Sequence, residues 1–321
     1  MREAIPTKVH QRALLSTRVQ PDEKTGQDAS TVDMEYSSNS GTGWNSLAMG
    51  VTDTGTFSWD TSFHGDSTTF RTRVMATDAV GNASSWSASA GDLELDNTDP
   101  VIALTSPAGG ELWDGIHPIV WSTTDSNPST VTVEISSNSG GAWTGLAAAI
   151  ADTGSHSWDT SAQTDGAAYR IRVEATDGAG NVSTWSASAS DFELDHTDPT
   201  ILLTAPVGGE LWGGSVRNVT WNTTDVNPST VDIEVSSNSG GAWTAVATGV
   251  ADTGIYPWDT SVLGDSTTHR VRVMATDGVS RTSAWSVSSS DFELDNTLPT
   301  ITLTAPVGAE VWRTTHNVTW T

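Results

Sequence analysis

The chain repeats itself with a period of about 100 residues, the length of one β-sandwich domain. The string SSNSG begins at Ser37, Ser136 and Ser236, and WDTS begins at Trp59, Trp158 and Trp258. Trp44, Trp86, Trp113 and Trp121 recur at Trp143, Trp185, Trp212 and Trp221, and the series runs on to Trp312 and Trp320. One unit used over and over points to a stalk, a spacer or a binding array rather than to a single active site.

Within residues 96–194 the pattern is that of short strands. VIALT alternates Ile102 and Leu104 with smaller residues, and Ile119 shares a face with Trp121. TVTVEIS sets Val131, Val133 and Ile135 against Thr132 and Glu134, and AYRIRVEA sets Tyr169, Ile171 and Val173 against Arg170 and Arg172. This period of two is the signature of half-buried strands. Gly, Asn, Asp and Pro turns separate about seven such strands, and no helical period is present, so the unit reads as a two-sheet sandwich. All five tryptophans of a unit are expected in the core, since each can bury on the order of 200 Å². Glu134 and the Arg170/Arg172 pair, with their counterparts in the other units, are expected to face outward on neighbouring strands and to form cross-strand ion pairs.

Charge narrows the partners. There are 39 Asp and Glu against 14 Lys and Arg, a formal net charge of -25. Nucleic acid is excluded as a partner on this ground, because phosphate binding needs a basic surface. An acidic surface attracts cations, and calcium is the class it favours. The chain has no cysteine, which removes disulfides, zinc thiolates and thiol chemistry. No apolar run approaches the roughly 20 residues that cross a membrane, so no membrane insertion is expected of this segment. Residues 1–28 lack the apolar core of an export signal.

Several stretches carry a family resemblance. YRIRVEATDGAGNVSTWS resembles the late strands of fibronectin type III and bacterial Ig-like repeats, where an aromatic opens a strand and a D-x-x-G-N turn leads to the last one. The run from LTSPAGGELW through IVW, SSNSGGAW and DTGSHSW is similar to cell-surface repeats of secreted bacterial proteins and of yeast cell-wall assembly proteins. The resemblance covers residues 29–321. It implies tandem Ig-like or fibronectin type III-like sandwiches, an extracellular or cell-surface location, and a non-enzymatic adhesive or spacing role. Partners would be other repeats of the same polypeptide and surface glycans or proteins. The alternative it leaves open is a set of accessory, carbohydrate-binding repeats attached to a secreted hydrolase. Ser136 to Trp143, with the copies at Ser37 to Trp44 and Ser236 to Trp243, also resembles the Asp-box S-x-D-x-G-x-x-W, with Asn where Asp is usual. A sialidase propeller is nevertheless excluded, because its blades repeat about every 40 to 50 residues. The unit also lacks the arginine cluster that would hold a carboxylate substrate. The motif reads as a hairpin whose small polar residues make the turn.

Catalytic constellations are absent. The seven histidines mostly fall at different places in different units, and there is no G-x-S-x-G elbow, phosphate loop or dinucleotide fingerprint. Carboxylates are the better candidates. In a fibronectin-type sandwich the entering linker meets two loops at one pole, which in the second unit would gather Asp96, Asp99, Asp125, Asn127, Asp177 and Asn181. Oxygen donors in that number suit calcium, though Asp and Asn of this kind also build turns, and both readings stand open. The third unit offers Asp195, Asp198, Asp225, Asn227 and Asp277, with Arg281 in the place of Asn181, where its charge is expected to weaken a site.

The units are not all whole. Residues 1–28 match nothing and are expected to be disordered, 29–95 form a sandwich lacking its first two strands, and 96–194 and 195–294 are complete. Residues 295–321 supply the first two strands of a further repeat. A stretch cut from a longer array and a head-to-tail polymer both account for this pattern.

Overall fold

The computed structural model describes residues 14–15, 29–214 and 216–321. Apart from the pair Leu14–Leu15, the segment 1–28 and the disorder expected of it lie outside the described residues. The chain is all-β, and among the described residues there is one 3-10 turn, at Thr160–Ala162. It divides into a unit of residues 1–111, 116–160 and 166–193 and a unit of 112–115, 161–165 and 194–321.

In the first of these units the second sandwich is built as the alternation requires. Val101–Ser106, Ile116–Thr124 and Ser155–Asp159 form one antiparallel sheet with Ile116–Thr124 in the middle. Pro128–Ser136 lies between Thr144–Ala151 and Gly166–Asp177 in the other. Along Gly166–Asp177 every second residue from Tyr169 to Asp177 is buried, which is the period of two made physical. The Ala-rich edge strand Thr144–Ala151 has no fully buried residue and meets its neighbour through register shifts, as edge strands that resist further pairing do.

The unit of residues 194–321 repeats the design. Thr200–Ala205, Val216–Thr224 and Ile255–Asp259 make one sheet, and Pro228–Ser236, Thr244–Ala251 and Ser266–Asp277 make most of the other. Leu203, Val219 and Trp221 from the first sheet close over Val231, Ile233, Val271 and Val273 from the second. Beyond this sandwich, Leu303–Ala305 pairs with Thr319–Trp320.

Not all tryptophans are in the core. Trp113, Trp121 and Trp158 are buried, as are Trp212, Trp221 and Trp258. Trp143 and Trp185 instead lie half-buried on the outer face, where Arg172 is held between them at 4.5 and 4.2 Å from their rings. Arg73 sits likewise between Trp44 and Trp86, and Arg272 between Trp243 and Trp285. The reason is alternation: these indoles meet a residue of the outward set, and a guanidinium stacks on them. The ion pairs divide more finely than the sequence suggests. Glu134 stands opposite Arg172 in register and accepts from its Nε at 2.7 Å. Arg170 turns instead to Asp191, at 2.5 Å, and Arg71 and Arg270 do the same with Asp92 and Asp291.

The first sandwich has Ala29–Ser37, Asn45–Thr52, Ser67–Asp78 and Leu93–Leu95 in place. Trp59, Phe70 and Leu95 are buried, with Tyr36 packed against them. Of the other sheet, the described residues show Phe57–Ser58 paired with Leu14–Leu15. Val32, Met34 and Val74 are only half-buried, whereas Val131, Val133 and Val173 at the same repeat positions are fully enclosed.

Candidate metal centre

The linkers are pinned by an aspartate outside the candidate set read from the sequence. In each unit an aspartate from the loop before the long strand accepts the backbone N–H of the linker's second residue. Asp66 takes that of Asn97 at 2.6 Å, Asp165 that of His196 at 2.8 Å and Asp265 that of Asn296 at 2.6 Å. The other carboxylate oxygen accepts from Thr98, Thr197 or Thr297. Asp66, Asp165 and Asp265 stand on the same 100-residue ruler as the tryptophans, and that recurrence was the available signal. With these linkers fixed, the second and third sandwiches have their entering carboxylates, Asp96 and Asp195, next to a pinned backbone.

In the second sandwich Asp96, Asp125 and Asp177 each bring a carboxylate oxygen into a group whose members all lie within 4.8 Å of one another. Asp177 is buried, and its Oδ1 accepts the backbone N–H groups of Ala179, Gly180 and Asn181. Its Oδ2 accepts from the Asn181 amide at 2.8 Å. Asn127 and Asn181 present amide N–H groups here, Asn127 to Asp96 at 3.3 Å and to Glu94 at 2.7 Å. The two asparagines therefore satisfy carboxylates, and Glu94 is a partner of Asn127 that sequence reasoning missed. Asp99 is exposed and stands outside the group.

The unit of residues 194–321 contains the equivalent group, Asp195, Asp225 and Asp277, again within 4.8 Å. Asp195 and Asp277 are buried. The backbone of Arg281 still donates to Asp277 Oδ1 at 2.8 Å, as that of Asn181 does to Asp177. The side chain differs: the Arg281 guanidinium turns to Asp114 at 2.9 and 3.0 Å and to Asp198 at 2.9 Å. Those two carboxylates hold it charged well beyond the ordinary arginine range. Asp198 is thus engaged by Arg281 and lies outside the three-carboxylate group. With no Asn amide to cap it, the buried Oδ2 of Asp277 has no hydrogen-bond partner. A buried carboxylate oxygen without a donor costs free energy that a cation would recover. Burial, followed by repulsion from Asp195, Asp277 and Asp165, raises the Asp225 carboxyl above its usual range.

This donor set fits a hard oxygen-seeking cation better than a borderline one, since it contains carboxylates and neither thiol nor imidazole. In the first sandwich, Asp78 occupies the place of Asp177 and is satisfied by Asn82 at 2.8 Å. The hairpins at Ser37, Ser136 and Ser236 use their polar atoms internally. Ser136 Oγ accepts from Gly140 N–H at 2.9 Å and donates to Asn138 Oδ1, which also accepts from Ala142 N–H. Ser139 and Gly140 both take positive φ there, 57° and 87°, so a glycine is needed at the second position.

Among the described residues no helix is long and apolar enough to cross a membrane. No protein-family model matches the chain, and no curated protein does. Solved structures do. The chain is similar to fibronectin(III)-like modules of Clostridium thermocellum CbhA, with 19% identity over 61% of this chain and 94% of that one, at a TM-score of 0.34. A tetra-tandem repeat from the extending region of a large adhesion protein is 20% identical over 83% of this chain and 67% of that one, TM-score 0.34. A 1.5-MDa bacterial ice-binding adhesin is 14% identical over 85% and 89%, TM-score 0.34.

Proposed function

We propose that the chain is a non-enzymatic spacer or adhesive segment of an extracellular or cell-surface protein, with calcium held at the linker poles of its sandwiches. The observation that carries this reading is the pole of the third sandwich, where three aspartates converge and the buried Asp277 Oδ2 lacks a donor. The rest of the surface chemistry supports a structural role: outward arginines are spent on ion pairs and indoles, and the Ser and Asn side chains of the hairpins on closing turns. Asp195, Asp225 and Asp277 would hold the ion in the third sandwich and Asp96, Asp125 and Asp177 in the second, with water completing the six to eight oxygens calcium takes. The ion would neutralise like charges and tie the linker to two loops, so each joint stiffens. The third pole is the stronger site, because Asn181 already satisfies in the second pole the oxygen that stays open in the third.

Differential scanning calorimetry of the whole chain, with and without calcium, tests this. Binding at 100 times Kd stabilises by about 2.7 kcal/mol. The expected result is an upward shift of one transition at low calcium, lost in Asp277→Asn. A second shift is expected at higher calcium and should be lost in Asp177→Asn. An unchanged thermogram in millimolar calcium would reduce both poles to ordinary turns.

A further inference from the structure

Arg281 stands where the other two repeats carry an uncharged amide, Asn82 and Asn181, and Asp114 stands where the next repeat carries Gly213. These two departures from the repeat meet. Residues 112–115 and 194–321 belong to one compact unit, and in it the Arg281 guanidinium makes a two-bond fork with Asp114, Nε to Oδ2 at 2.9 Å and Nη2 to Oδ1 at 3.0 Å. Its remaining arm, Nη1, donates to Asp198 Oδ1 at 2.9 Å. The turn at 112–115 also lies against the loop itself. A Cβ on Gly278 would come within 2.7 Å of Leu112 Cδ2, so a glycine there is what admits the leucine. Ala79 holds that position in the first repeat.

Side-chain reach separates this arrangement from its counterpart. Asn181 is short, and its amide ends on Asp177 Oδ2 and the Asp96 carbonyl, at 2.8 and 3.0 Å. The longer arginine carries a charge past the linker to a turn 167 residues earlier in the chain. Its backbone N–H meanwhile caps Asp277 Oδ1 at 2.8 Å. One residue is thus bonded to loop, linker and turn.

We propose that Arg281 is a resident cation that ties the linker at Asp198 and the turn at Asp114 to the 277–281 loop, so that this attachment holds without a metal and answers to ionic strength. It does not depend on calcium occupying the Asp195, Asp225 and Asp277 group. An arginine keeps its charge throughout the pH range of a folded protein, and the two-bond fork on a carboxylate is the stronger geometry for an ion pair. The side chains of Arg281 and Asp114 are 31% and 23% exposed, and that of Asp198 is 65% exposed. Asp114 is therefore the main partner, and all three charges are open enough for salt to screen them.

Hydrogen exchange on the whole 321-residue chain in EDTA reads the tie at the linker amides. Asp195 N–H is bonded to Trp113 O at 3.1 Å and His196 N–H to Asp165 at 2.8 Å, so both report opening of the linker. In Arg281→Met, which keeps the stem and removes the charge, they should exchange about fivefold faster than in wild type at low salt. Wild type should approach the variant in about 1 M sodium chloride, while the variant itself should not respond to salt. Arg281→Lys should fall between the two, because an ammonium keeps the charge and loses the fork. Asp114→Asn should loosen the linker more than Asp198→Asn, and Asp114→Asn/Arg281→Met no more than Arg281→Met alone, as members of one network do. Equal exchange in wild type and Arg281→Met at low salt overturns the proposal, as does a salt response that survives in Arg281→Met. Linker amides that are unprotected in EDTA and become protected only with calcium would assign the attachment to the metal, and the proposal would fail while the calcium reading stood.

Discussion

Set beside the third sandwich, the first shows what a covering sheet does. The two share their long strands, outer ion pairs and Trp–Arg–Trp stack, position by position. Yet Ile233 is fully enclosed while Met34, its counterpart, is half-buried. The buried set of the first sandwich is concentrated at the end where Trp59, Phe70 and Leu95 meet Tyr36. Outer-face chemistry is local to two neighbouring strands and is the same where the described residues show only Phe57–Ser58 with Leu14–Leu15 of the second sheet. Inner-face burial needs both sheets, because apolar side chains leave water only when something covers them.

The largest effect should separate the two inner faces. Ile233→Ala is expected to cost about 2–5 kcal/mol, read by urea-dependent hydrogen exchange in that sandwich, whereas Met34→Ala should cost less than about 1 kcal/mol because its side chain is already partly exposed. Equal losses would mean that the first face is closed in solution. The outer faces offer the opposite test. Arg272→Ala and Arg73→Ala each remove an ion pair of about 0.2–1 kcal/mol and an indole-stacked cation of about 0.5–1 kcal/mol, so both should lose about 1–2 kcal/mol. A large difference between them would show that the outer ladder depends on the inner core.

The smallest effect is in pH. Hydrogen bonds from Arg270 and Ser239 hold the Asp291 carboxyl below its ordinary range, and Arg71 with Ser40 does so for Asp92. A lowered folded-state value means stability that is present above the ordinary Asp value of about 3.9 and is lost as pH falls through the folded value. Both sandwiches should show this loss. Asp225 is raised, so its contribution has the other sign, present below the ordinary value and lost as pH rises through its folded value. In calcium-free buffer the third sandwich should therefore pass through a stability maximum near the ordinary Asp value, while the first should only weaken on acidification. Melting curves from pH 3 to 7 would show it, and added calcium should remove the third sandwich's loss at higher pH. Parallel profiles for the two sandwiches without calcium would mean that the Asp225 cluster is not strained.

Much of the fold was legible because a strand's side chains alternate with a fixed period and a repeat supplies independent copies of each strand. The outward set of Glu134, Arg170 and Arg172 and the enclosed set Val131, Val133, Ile171 and Val173 follow from alternation alone, whereas the choice of Arg172 as the partner of Glu134 needed the register. The length of the edge strand Thr144–Ala151 does not, since an Ala-rich run with no buried residue carries no alternation to read. Of the candidate site, the six clustered aspartates, three at each of two poles, were visible as carboxylates near those poles. That Asp99 and Asp198 stand aside was not, and neither were the roles of Glu94, Asp114 and Asp165.

What the sequence determined by itself was therefore whatever depends on local period: the strands, their facing sets, the repeat and the acidic character of the linkers. The tertiary structure alone decided which tryptophans are core, because an indole next to an outward arginine stacks on it although its composition suggests burial. It also decided where the Arg281 side chain ends, at Asp114 and Asp198, and that Asp277 Oδ2 is left without a donor. A charge acts where its side chain ends, and for a long flexible arginine that point is set by partners distant in sequence.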